Sequence, residues 1–137
     1  MRSGNVSIVP NSERKVGPWF VTQDLLVVAS EDSTRLFLYD IKAGKWTDLA
    51  KDQNSFPAWT MAPDGKYLYC TSAGNEPKVL RIRIADHSVE AIADLKNFRN
   101  ASDPVEGIDI GIAPDGSALL TRDVGTQEVY SLTVKWP

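Results

Sequence analysis

Cysteine and histidine each occur once among the 137 residues, as Cys70 and His87. A single thiol excludes an internal disulfide and any cysteine-cluster metal site. One histidine beside it leaves zinc without a ligand set. Covalent catalysis needs a nucleophile, a base and an orienting group within hydrogen-bond reach. Cys70 falls in a strand-like run and His87 in the turn Asp86-His87-Ser88, so the two read as separate: a buried structural thiol and a solvent-facing imidazole. No Gly-x-Ser-x-Gly elbow and no glycine-rich phosphate loop appears. The chain therefore reads as no enzyme, and no cofactor is implied.

Charge of one sign is also missing. Lys and Arg total 15 against 18 Asp and Glu, for a net charge of −3 with no basic run, which argues against direct nucleic-acid binding. No apolar stretch approaches membrane-spanning length. Met1-Arg2-Ser3-Gly4-Asn5 leads into no apolar segment, so it does not read as a signal peptide. Helical periodicity is scarce too. Ile92 to Arg99 is its one candidate, and this segment reads better as a strand end followed by a loop.

What the chain does have is strands. A hydrophobic share of 42% and a charged share of 24% suit one soluble globular domain. Leu25 to Ser30 and Arg35 to Ile41 are β-branched and aromatic runs separated by the polar turn Glu31-Asp32-Ser33-Thr34. Lys66 to Thr71 and Lys78 to Ile84 repeat the arrangement, with Leu80, Ile82 and Ile84 alternating with Arg81 and Arg83 at period two. Ala62-Pro63-Asp64-Gly65 recurs as Ala113-Pro114-Asp115-Gly116. Proline sets φ for a turn and glycine supplies φ > 0, so each copy reads as a hairpin turn between strands. Asp64 and Asp115 have the chemistry of calcium ligands, but an aspartate in such a turn more simply accepts a hydrogen bond from its own backbone.

The strands repeat as units. Leu36 to Ile41 aligns with Val79 to Ile84, 43 residues later, and with Val129 to Val134 after a further 50. A strand-only period of about 40–45 residues points to four-stranded propeller blades. The expected fold is thus all-β, a β-propeller segment of about three blades. Its blades span 17–51, 56–95 and 107–135, and residues 1–11 hold an orphan outer strand at Val6 to Val9. In the middle blade the strands are read as 58–61, 67–71, 79–84 and 89–93. In the first blade, Thr22-Gln23-Asp24 replaces Pro-Asp-Gly, an atypical hairpin. A ring needs about 4–8 blades. Three blades imply either part of a longer propeller or a homodimer closing a six-blade ring.

Trp59-Thr60-Met61-Ala62-Pro63-Asp64-Gly65-Lys66-Tyr67-Leu68-Tyr69 resembles the W-S-P-D-G-K signature of TolB-type, WD-like propeller repeats, and the likeness extends from about Val6 to Val134. The tail from Leu119 to Leu132 resembles the C-terminal propeller of large bacterial proteins. Those proteins carry winged-helix regulators of the CadC/ToxR type, or serine/threonine kinases. The resemblance implies a sensing or docking platform in a signalling or transcription-regulating protein, in cytoplasm or periplasm. Neither a winged-helix nor a kinase signature occurs in these residues. The competing expectations are a propeller accessory to a prolyl-oligopeptidase-type peptidase and a purely structural propeller fragment.

The excess of seven residues in the second offset falls at 97–107, and loops on one face of a repeat array commonly carry specificity. Phe98, Arg99, Asp103 and Glu106 on this insertion, with Asp109 on the adjoining inner strand, are the candidate contacts for a protein or peptide partner. A solvated connector explains the same residues equally well. Trp19 and Trp59 fall on inner strands of successive units, where core packing is favoured over ligand stacking. Trp46 and Trp136 read as edge or neighbour contacts.

Overall fold

The computed structural model describes residues 8–99 and 109–125. Within them the chain forms strands and turns and no helix. Strands β1 (Lys15–Phe20), β2 (Leu25–Ser30), β3 (Arg35–Asp40) and β4 (Lys45–Lys51) make one antiparallel sheet in sequential order. Strands β5 (Ala58–Met61), β6 (Tyr67–Ser72), β7 (Lys78–Arg83) and β8 (Val89–Asp94) make a second sheet of the same topology. Strands β9 (Ile110–Ile112) and β10 (Ala118–Leu120) pair as the start of a third. The expected strand 129–134 lies outside the described residues.

Local chemistry explains the hairpins. In the second and third sheets the Gly65 and Gly116 N–H groups donate to the Ala62 and Ala113 carbonyls, each at 2.9 Å. Both glycines have positive φ, 69° and 85°, which costs a residue without Cβ nothing. Asp64 Oδ1 accepts from Lys66 N at 3.0 Å and Asp115 Oδ1 from Ser117 N at 2.9 Å, so both carboxylates serve their own turns. The atypical first hairpin is closed differently. Thr22 Oγ1 accepts from the backbone N–H groups of Asp24 and Leu25, a hydroxyl doing the work of the missing aspartate.

Alternation sorts the side chains onto two faces. Val27, Ala29, Leu36, Leu38 and Leu49 of the first sheet meet Leu68, Cys70, Leu80 and Ile82 of the second, and Phe56 of the β4–β5 connection, in one buried cluster. This is the joint between blades, and it is built from opposite faces of the two sheets. The far face of the second sheet turns to the third. There Tyr69 Oη donates to the Gly116 carbonyl at 3.3 Å.

The far face of the first sheet carries Leu26, Val28 and Tyr39, with Phe37, Trp46 and Val9 packed against them. Ile8 and Val9 form no strand. Val9 instead lays its side chain across this apolar face, while Val6 and Ser7 lie outside the described residues. Strand β1 begins at Lys15, which pairs with Ser30.

Candidate functional site

Strand β1 is irregular where it matters. Its register with β2 shifts between Val16 and Trp19, and Gly17 inside the shift has φ 60°. A glycine of positive φ followed by proline in a strand is the composition of a bulge. A Cβ at Gly17 would lie 3.2 Å from Trp59 Cη2 and 3.3 Å from Cζ2. The absence of a side chain at Gly17 therefore makes room for the indole of the next blade.

Successive blades bring their first strands side by side, which sets Gly17 and Pro18 of β1, Trp59 and Thr60 of β5, and Asp109 before β9 around one pocket of about 310 Å³. Pro57, Ala58 and Ile110 complete its wall. Trp59 is half-buried and its other contacts are with the core between the first two blades. Asp109 is exposed. A carboxylate, an indole, a hydroxyl and two prolines form a surface that can take up a ligand by charge, stacking and apolar contact together.

The remaining candidates are placed elsewhere. Phe98 is half-buried, and its N–H donates to the Leu95 carbonyl at 2.9 Å in the turn after β8. Arg99 is exposed, and its Nε lies 2.9 Å from Asp123 Oδ2. The Asp123 N–H in turn donates to the Arg99 carbonyl at 2.8 Å. Arg99 is thus stapled to the segment after β10. Asp103 and Glu106 lie outside the described residues, as do Trp136 and the Trp19 side chain. The structure brings Asp109, of the named contacts, into the pocket; Phe98 and Arg99 do not line it.

Sequence reasoning missed Gly17, Pro18, Pro57 and Thr60, and set Trp59 with the core. The one available signal was Gly17-Pro18 inside a strand-like run. Asp123, the partner of Arg99, had none.

Cys70 and His87 sit apart in function as well as in sequence. Burial, with a smaller contribution from the charge of Asp52, pushes the Cys70 thiol up to about 12, far from the thiolate a nucleophile needs. His87 holds the β7–β8 turn, its N–H donating to the Arg83 carbonyl at 2.8 Å.

No protein-family model matches the chain, and no curated protein matches it. Solved structures do. The tricorn protease superposes with a TM-score of 0.63 at 17% identity, over 78% of this chain and 10% of that one. TolB from Acinetobacter baumannii superposes with a TM-score of 0.55 at 19% identity, over 74% of this chain and 25% of that one. The chain thus spans a tenth and a quarter of the lengths of these two structures. Two sequential four-stranded antiparallel sheets, packed face to face and matching these structures, give the chain a TolB-like β-propeller fold.

Proposed function

We propose that the chain is a non-catalytic propeller platform that binds a protein or peptide, as part of a larger bacterial signalling or transcription-regulating protein. The observation that carries the binding role is the convergence of β1, β5 and the start of β9 on one pocket, with Trp59 and Asp109 in its wall. Folds of this type host many tasks, so function is argued from the site. The regulator context rests on the resemblance of the tail from Leu119 to Leu132 alone. Reading the chain as an accessory to a peptidase draws on a structural likeness that carries the fold and no residue of a hydrolytic site.

The platform's other contact is with blades. The Leu26, Val28, Tyr39 and Trp46 face of the first sheet corresponds by position to the Leu68, Cys70 and Ile82 face of the second, which another blade covers. Either further blades of a longer chain or a second copy closing a six-blade ring fits that face.

A photo-crosslinking residue placed at Asp109 or Arg99 of the full chain, against a control at Glu90 on the outer strand, tests the binding role. Partner peptides crosslinked at 109 but not at 90 are expected, and crosslinks at 99 as well would extend the contact beyond the pocket. Equal crosslinking at all three positions, or none at 109, sinks the reading.

A further inference from the structure

We infer that the pocket between the first strands takes a cationic side chain, the ammonium of a lysine or the guanidinium of an arginine presented by a peptide. The inference rests on the platform reading above and names the ligand class of that same site. Among the described residues lining the pocket, Asp109 is the one that carries a charge. A ligand of the opposite sign complements it, and the chain's net charge of −3 favours the approach of a cation.

The rest of the wall suits the stem and head of such a side chain. Lysine and arginine bury an aliphatic stem while the charged head stays near water. Pro18 and Pro57 offer apolar surface for the stem, and the pocket is open to solvent where Asp109 is exposed. An indole is the best aromatic partner for a cation, and Trp59 lines this pocket beside Gly17. Thr60 adds a hydroxyl that can accept from an N–H donor. Elsewhere the chain satisfies its own cations over aromatic rings, as where Lys15 Nζ lies 4.8 Å from the Trp46 ring centroid and Arg81 4.9 Å from that of Tyr67. None of the described cations is placed over Trp59.

The test is a titration of the full chain with two tripeptides, acetyl-Gly-Lys-Gly-amide and its norleucine analogue, which keeps the stem and lacks the ammonium. The readout is the Trp59 indole N–H resonance, assigned by its loss in Trp59→Phe. The lysine peptide is expected to move this resonance and the norleucine peptide to bind more weakly. Asp109→Asn, an exposed change that leaves the core untouched, is expected to weaken the lysine peptide by up to about fivefold, the upper end for an exposed ion pair. It should leave the norleucine peptide unchanged. Equal binding of the two peptides, an unchanged lysine affinity in Asp109→Asn, or no movement of Trp59 with either peptide overturns the cationic assignment. If partner crosslinks still form at 109 in that case, the platform reading stands and only the ligand class falls.

Discussion

Trp46 holds the N-terminal segment against the first blade: its indole Nε1–H donates to the Pro10 carbonyl at 2.7 Å, across 36 residues of chain. The Tyr39 ring lies against the same indole, centroids 4.6 Å apart. Lys15 Nζ, over the indole face, donates to the Asn11 carbonyl at 2.6 Å. A residue expected at an edge thus ties down residues that would otherwise leave the sheet.

Trp46→Phe keeps an aromatic ring against Tyr39 and removes the donor. The expected cost is about 1 kcal/mol in urea unfolding, the net worth of one such hydrogen bond. Faster amide exchange of residues 11 and 12 should accompany it. An unchanged midpoint with unchanged exchange would mean the segment is held by Val9 and the Lys15–Asn11 bond without this donor.

Gly44 and His87 occupy the same place in the β3–β4 and β7–β8 turns, with φ of 63° and 59°. A side chain in that left-handed conformation costs about 1 kcal/mol. His87→Gly is therefore expected to stabilise the chain by up to about 1 kcal/mol, less the entropy glycine adds to the unfolded state. Gly44→Ala should destabilise by about 1 kcal/mol. Thermal melts of the two variants check the pair, and effects of the same sign would refute it.

Cys70 sets an alkaline limit. Its thiol is held up to about 12 in the fold against an ordinary value of 9.0. Between those values the unfolded chain loses the proton and the folded chain keeps it, so stability present below pH 9 is lost as pH rises toward 12. The slope attributable to this group is about 1.4 kcal/mol per pH unit. Cys70→Ala should show a shallower decline over that window. The native thiol should also resist iodoacetamide at pH 8 until urea unfolds the chain.

Asp32 acts on the acid side. Hydrogen bonds from the Ser30 hydroxyl first, then from the Thr34 backbone and hydroxyl, hold its carboxyl down to about 2 from 3.8. The stabilisation is complete above pH 3.8 and is lost as pH falls through about 2. A carboxyl titration by NMR should find the low midpoint, and Ser30→Ala should raise it toward 3.8. A midpoint unmoved by Ser30→Ala would contradict the assignment.

The apolar face behind Trp46 can be tested by mass. If a second copy covers it, light scattering on residues 1–137 gives a discrete species of twice 15.1 kDa, and Leu26→Asp reduces it to monomer. A monomer at the outset rules out a second copy as the cover of that face.

Much of the architecture could be read along the chain because its causes are local. Pro63-Asp64-Gly65 and Pro114-Asp115-Gly116 specify turns by the φ each residue allows, and the alternation from Lys78 to Ile84 specifies a strand by period. β5 occupies 58–61, the limits read for it from sequence, because a turn residue bounds it on one side.

Strands, turns and the roughly 43-residue repeat were thus determined by sequence, through dihedral preference and side-chain alternation. The tertiary structure decided which face of each sheet meets which neighbour. It also set Gly17, Trp59 and Asp109, each one blade from the next, around a common pocket. No residue pattern encodes that meeting, because it depends on how each blade packs against the one before, through Leu36, Leu38, Leu68 and Ile82 between the first two sheets and Tyr69 against Gly116 at the third.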